Sequence, residues 1–210
     1  MEGYFITFEG GEGAGKTSVL HTLAKQLKDK GYDILTTREP GGIKIAEEIR
    51  SIILDKSHTM MDAYTEALLY AAARRQHLTE KVIPALQSGK IVICDRFIDS
   101  SLAYQGYARG IGMQEVLAIN QFAIQSYWPQ LTLYLDIDPK KGLERIQANK
   151  TRETNRLDAE SLSFHRKVRA GYHQLAKQYP ERIQTVNADQ PFDRVLDDSM
   201  EVISNLLTKL

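Results

Sequence analysis

The chain has 210 residues, 42% of them apolar and 26% charged, and 27 Lys plus Arg balance 27 Asp plus Glu to a formal net charge of zero. That length suits one globular domain with room for a small insert, and the charge balance argues against a general nucleic-acid binder, which carries a strongly basic face. A single concentrated positive site stays possible, whereas no apolar run approaches the ~18 residues of a membrane span. No basic segment followed by an apolar stretch opens the chain, so no secretory signal is visible. The lone cysteine, Cys94, lies in the apolar run Ile91-Val92-Ile93-Cys94 and reads as a buried structural thiol in a cytoplasmic protein.

In chain order, Tyr4–Glu9 is the first of five β-rich runs. The others are Asp33–Thr37, Ile91–Asp95, Leu131–Asp136 and Ile183–Asn187. Several are continuously apolar rather than alternating, the mark of strands covered on both faces. Between them, Leu20, Leu23, Ala24 and Leu27 recur at helical spacing, as do Ile45, Ile49, Ile52 and Ile53, and later Leu196, Met200, Ile203 and Leu207. Arg38-Glu39-Pro40-Gly41-Gly42 marks a turn past the second run. Asn149–Asn155 (NKTRETN) holds no apolar side chain, and reads as a solvated loop or a lid before a helical pattern beginning near Leu157. Five strands alternating with helices predict a doubly wound α/β sheet of five parallel strands, with helices on both faces and right-handed crossovers.

The segment after the first strand carries the strongest signal. Gly10-Gly11-Glu12-Gly13-Ala14-Gly15-Lys16-Thr17 fits G-x-x-x-x-G-K-[ST], which chance produces in roughly one chain in a hundred of this length. It follows a β-run and opens a helix, as a P-loop must. Glycines let backbone N–H groups turn around phosphate oxygens, and the helix N-terminus adds favourable dipole charge. Lys16 would reach the β- and γ-phosphates of a nucleotide, and the Thr17 hydroxyl could ligate Mg²⁺. Mg²⁺ also wants a carboxylate. Asp95 and Asp136 each end an apolar run. Asp95 is preferred because Arg96 follows it, while Asp136 leads into Ile137-Asp138-Pro139, which reads as strand exit and helix cap. The five histidines show no H-E-x-x-H pattern or paired metal spacing.

A P-loop serves switches and kinases alike. The guanine-reading N-K-x-D pattern fails, since the Asn-Lys pair continues as Asn149-Lys150-Thr151-Arg152. Arginines instead cluster near predicted strand ends and turns, among them Arg38, Arg50, Arg74, Arg75, Arg96 and Arg109. Arg38 and Arg96 lie just past β-runs, at the carboxyl edge where ligands bind in parallel sheets, and guanidinium forks suit phosphate oxygens. That favours a second phosphate-bearing substrate. No Arg occurs between Gly10 and Lys16, so charge on a moving phosphoryl group would come from Arg152 or Arg156 on a closing lid; the alternative is a solvated loop without a catalytic part.

These motifs together resemble the thymidylate kinases of the bacterial type over nearly the whole chain. Phe8–Thr17 is similar to that family's P-loop with an acidic residue inside. Arg38-Glu39-Pro40-Gly41-Gly42 is similar to its second motif, Asp95-Arg96-Phe97 to its D-R-aromatic motif, and Ser100–Gly106 to its substrate segment, in the family's order. The lid pattern Arg152…Asn155-Arg156-Leu157-Asp158 matches most loosely. The resemblance implies one P-loop NTPase-type kinase domain over 1–210, with a monophosphate-binding region at about 38–109 and a lid at about 149–158. It implies transfer of the γ-phosphate of ATP to thymidine 5′-monophosphate with Mg²⁺, in the synthesis of thymidine triphosphate, by a homodimer.

By the same resemblance, Arg38 and Arg96 would hold the monophosphate, with Glu39 and Arg50 beside them. Glu12 would approach the sugar 3′-hydroxyl, and Tyr104 would stand where a ribose 2′-hydroxyl would go. Tyr70 and Arg74 lie four apart on a predicted helix, hence on one face. A tyrosine ring can stack on a pyrimidine, and an arginine donor suits the thymine O4 acceptor but not the cytosine amino group. Ser101 and Gln105 share that spacing, so Gln105 could read the base N3–H edge. Lys16, Arg38, Arg74, Arg96 and the lid arginines are then expected to converge on one positive cleft, with Glu12 and Asp95 among them.

Overall fold

The five β-rich runs become β1 (Tyr4–Glu9), β2 (Ile34–Arg38), β3 (Ile91–Asp95), β4 (Leu131–Asp136) and β5 (Ile183–Asn187) in the structure, a computed structural model that describes residues 3–148 and 156–208. All pair in parallel, in the order β2-β3-β1-β4-β5. β2 runs one residue later than predicted and takes in Arg38. The chain passes from β1 to the β2 edge, then returns from β3 across β1 to β4 and β5. This reversal opens a crevice at the carboxyl ends of β1 and β3.

Alternation of side chains along β1 sends Phe5 to one layer and Ile6 and Phe8 to the other. On the Ile6 side, α1 (Lys16–Asp29) and α9 (Phe192–Leu207) bury Leu20, Leu23, Leu196 and Ile203 against Leu133, Leu135 and Val186. The Phe5 layer holds α3 (Ala63–His77), α4 (Ile83–Gln87), α5 (Ile98–Ser101), α6 (Met113–Ile124) and α8 (Leu162–Gln178). α2 (Lys44–Leu54) packs on α3, and α7 (Pro139–Ala148) follows β4. Two stretches, Leu78–Val82 and Leu102–Ala108, wind as π-helix, a form often found at functional sites. Gly171 lets α8 close on the second: a Cβ there would sit 3.0 Å from Tyr107 Cβ and 3.2 Å from Ala103 Cα.

One expected core stripe is corrected. In α2 the buried residues are Ala46 and Ile53, while Ile45 and Ile52 stay 47% and 45% exposed. The helix packs chiefly on α3, and its apolar stripe is wider than that contact, so part of it faces outward. Cys94 is fully buried, as expected, and burial pushes its thiol well up.

Candidate active site

The phosphate cradle forms where β1 turns into α1. Gly13 has a φ of 72°, and a Cβ there would fall on the Gly142 carbonyl of α7, so only glycine fits. Lys16 is 7% exposed and its Nζ donates to the carbonyls of Gly10 (3.1 Å) and Gly11 (2.9 Å), spanning the loop from below. Burial, with Arg96 nearby, pulls its ammonium down to about 8. Thr17 opens α1, and its hydroxyl donates to Asp95 Oδ2 at 2.5 Å. These are hard oxygen donors at the end of β3, the chemistry Mg²⁺ takes. Asp136 is engaged elsewhere. Burial pushes its carboxyl up, but Arg169, Tyr134 and His173 outweigh this and hold it down to about 2. Asp138 caps α7 through the Lys140 amide, as the sequence suggested.

Arg96 occupies the rim between the two ends of the cleft with a φ of 69°, rare for a residue carrying a side chain. Its guanidinium donates to Glu12 Oε1 (2.5 Å), the Gly10 carbonyl (3.0 Å) and Ser100 Oγ (3.3 Å), and lies over the Tyr104 ring. The Tyr104 hydroxyl donates to the same Glu12 oxygen at 3.1 Å. Beneath Arg96 is a residue that motif reading missed. Glu9 is fully buried at the end of β1 and accepts from Phe97 N (2.7 Å), Ser100 N (3.2 Å), Ser100 Oγ (2.5 Å) and the Tyr172 hydroxyl (2.8 Å). It thereby holds the strained turn and the N-terminus of α5. Burial, and then Asp99, push its carboxyl up to about 7. An acid ending an apolar run just before a P-loop was the available signal. Arg38 pairs with Glu47 at 2.6 Å in an exposed bridge, and Arg50 donates to the Pro40 carbonyl at 3.1 Å.

The far end of the cleft is lined by buried polar side chains. Arg74 is 2% exposed, and four of its five N–H donors are used among the described residues: Nε donates to Glu39 Oε2 (2.7 Å), Nη1 to Ser101 Oγ (3.0 Å) and to Asn120 Oδ1, and Nη2 to the Phe97 carbonyl (3.0 Å), which leaves one Nη2 hydrogen for a ligand. The other Glu39 oxygen meets His77 Nδ1 at 2.9 Å, and His77 Nε2 meets Thr37 Oγ1 at 2.7 Å. Tyr70 is buried beside Arg74, and that burial raises its phenol above the ordinary value. Gln105, on the π-helical stretch, donates through Nε2 to Glu66 Oε1 at 2.8 Å.

One cleft of about 510 Å³ is lined by Glu12, Gly13, Gly15, Lys16, Thr17, Arg38, Glu39, Arg50, Tyr70, Arg74, Asp95, Arg96, Ser101, Tyr104 and Gln105, all expected from the sequence. Gly10 and Ala14 are buried under the loop, and Gly11 borders a smaller cavity beside it. Arg145 of α7 also lines the cleft and escaped sequence reading, because a basic residue in a last helical turn has an ordinary explanation in the helix dipole. Arg156 does not line it: its guanidinium pairs with Glu66 and donates to the Ile53 carbonyl at 3.0 Å. Arg152 lies outside the described residues. Six cationic side chains thus face three carboxylates in one cleft, which is the uneven charge that a neutral total conceals.

A family model described as thymidylate kinase matches residues 8–198. The chain belongs to the thymidylate kinase family. It is 61% identical over 209 residues to the thymidylate kinase of Oceanobacillus iheyensis, covering 100% of this chain and 93% of the relative. With that of Bacillus velezensis it is 59% identical over 210 residues, covering 100% and 99%. The crystal structure of the Ehrlichia chaffeensis thymidylate kinase superposes with a TM-score of 0.79 at 32% identity, over 97% of this chain and 99% of that one. The enzyme is therefore a nucleoside monophosphate kinase, a transferase on the P-loop α/β fold, and thymidylate kinases use ATP as the phosphate donor.

Proposed function

We propose that the two ends of this cleft divide the reaction of the family, ATP plus thymidine 5′-monophosphate giving ADP plus thymidine diphosphate. The observation that carries the proposal is the union, in one cleft, of a P-loop lysine, a rim arginine and an end of buried polar groups able to hydrogen-bond a base edge. The backbone amides of Gly11–Thr17 and Lys16 take the triphosphate of ATP. Arg96 and Arg38, with Arg50 and Glu39 beside them, hold the monophosphate. Glu12 faces the sugar 3′-hydroxyl, and Tyr104 fills the room a ribose 2′-hydroxyl would need. Tyr70 stacks on the base, Arg74 donates to O4 and Gln105, next to Ser101, accepts from N3–H.

An oxygen of the monophosphate attacks the γ-phosphorus in line. One P–O bond forms, the bond to the β-phosphate oxygen breaks, and ADP leaves with that electron pair. No protein nucleophile is needed, so positioning and charge do the catalysis. Thr17 and Asp95 would hold Mg²⁺, directly or through water, where it would neutralise charge on the donor phosphates. Lys16 supplies fixed positive charge from the loop, and an arginine of the lid, Arg152 or Arg156, supplies it from the other side once the lid of about 149–158 is down. For Arg156 this means leaving Glu66.

We read the chain as a single kinase domain with its monophosphate-binding region at about 38–109, cytoplasmic, and as a homodimer. Among the described residues no helix is long and apolar enough to cross a membrane. Support for the dimer is an apolar face across neighbouring helices α2, α3 and α6, where Ile45, Ile52, Leu68 and Phe122 are 47%, 45%, 55% and 87% exposed. The deciding experiment incubates the enzyme with ATP and Mg²⁺ against a panel of nucleoside monophosphates and measures the diphosphates formed. Thymidine monophosphate should be preferred. Deoxyuridine monophosphate, lacking one methyl group, should be roughly 10- to 200-fold poorer, and preference for another base would end this assignment of the buried polar end.

A further inference from the structure

The base end rests on a carboxylate that does not itself line the cleft. Glu66 of α3 is 1% exposed, and both its oxygens are engaged. Oε1 accepts from Gln105 Nε2 at 2.8 Å and Arg109 Nε at 3.4 Å; Oε2 accepts from Arg109 Nη2 at 3.4 Å and from Arg156 Nη2. Burial pushes its carboxyl upward, but Arg156, Arg109 and Gln105 outweigh that and hold it below the usual value. Glu66 is thus an anion, and a carboxylate can only accept. The Gln105 amide nitrogen must face it, and the amide oxygen then lies on the other side of the planar group. That oxygen accepts no hydrogen bond among the described residues, in a side chain that lines the cleft. A glutamine turned by 180° has nearly the same shape and the opposite hydrogen-bonding polarity. Beside a buried anion that turn is costly, because it sets carbonyl against carboxylate where no water screens them.

We propose that Glu66 is the positioning residue for base choice: by holding the Gln105 amide nitrogen, it presents the amide oxygen to the base, which accepts from the N3–H of thymine and rejects the N3 lone pair of cytosine. The inference rests on the reading of Gln105 as facing the base. Arg74 is locked separately by Glu39, Ser101, Asn120 and the Phe97 carbonyl, so discrimination at position 4 is set by other residues.

The test is the ratio of kcat/KM for thymidine monophosphate to that for deoxycytidine monophosphate. In Glu66→Gln the neutral amide can donate as well as accept, so Gln105 is free to turn, and the ratio should fall by about tenfold or more with a smaller change in kcat for thymidine monophosphate. Glu66→Asp keeps the anion but shortens its reach to Gln105, and should lower the ratio part-way; it carries the test if Glu66→Gln does not fold. Arg109→Gln loosens the same cluster while leaving the acceptor, and its ratio should match the parent enzyme. A fall in Arg109→Gln equal to that in Glu66→Gln would assign the effect to general loosening and overturn the proposal. Gln105→Met separates the two readings. If it leaves the ratio unchanged, Gln105 does not read the base and both readings fail; if it lowers the ratio while neither Glu66 variant does, only the role of Glu66 is overturned.

Discussion

The two ends of the cleft proposed to take the phosphates and the base place their cations differently. At the phosphate end the loop itself is local, although Thr17 and Arg96 meet partners 78 to 86 positions away. Gly10–Thr17 is one loop and one helix start, Lys16 reaches back five and six residues to its carbonyl partners, and Arg38 pairs with Glu47 at the surface with both side chains well exposed. At the base end Arg74 is buried, and its four partners come from three other segments of the chain, at Glu39, at Phe97 and Ser101, and at Asn120. A cation that meets a hydrated phosphate at the mouth can stay near water, as Arg38 does, while Lys16 is buried under its loop. Charge that must discriminate one base edge from another has to be dehydrated and held still, because a mismatched hydrogen bond is costly only where water cannot replace it.

That contrast can be broken most severely at the loop. Lys16→Ala should abolish turnover, a loss of about 10³-fold or more, while the melting temperature stays near that of the parent; near-normal turnover would remove the P-loop assignment. The lid comes next. Arg152→Ala and Arg156→Ala should be assayed separately at saturating substrates, and one of them should lower kcat by about 10²–10³-fold. If neither does, no lid arginine stabilises the transferred group.

Stability separates the two ends directly. Glu39→Ala leaves the buried Arg74 cation without its carboxylate and should cost about 3–5 kcal/mol in urea denaturation, against less than about 1 kcal/mol for Glu47→Ala at the exposed Arg38 pair. Equal costs would contradict the division. The smallest expected effect is a slope. Glu9 has a carboxyl raised from 4.5 to about 7, so the folded chain binds a proton that the unfolded chain does not between those values, and stability falls as pH rises through that window. Glu9→Gln cannot ionise and should flatten the fall, measured as the difference in urea midpoint between about pH 5 and about pH 7.5.

Legibility in the sequence follows the same division. β1, β3 and β4 could be read to the residue because strands buried on both faces are predominantly apolar, and β5, an edge strand with exposed Thr185, because Ile183 and Val186 lie in a β-rich run. The cradle could be read because its geometry is made by consecutive residues. The stripe of α2 was misplaced because periodicity marks an apolar face without saying what covers it, and Ile45 and Ile52 turn outward. Arg74 and Gln105 were legible as candidates from spacing and family likeness, as was Glu39 from its motif though not as the partner of Arg74, but Asn120 and Glu66, which help set how they point, gave no local signal. Glu9 was hidden as the last residue of a strand.

The amino-acid order by itself determined the parallel sheet, the phosphate loop and the set of residues able to serve a nucleotide, since each depends on backbone chemistry within a few positions. Only the tertiary structure decided which arginines are dehydrated, which carboxylates orient them and which face of α2 is bare. Those properties belong to pairs of residues 35 or 39 positions apart, as in Arg74 with Glu39 and Gln105 with Glu66. Burial and hydrogen bonding between such distant groups exist only once the sheet has brought them together.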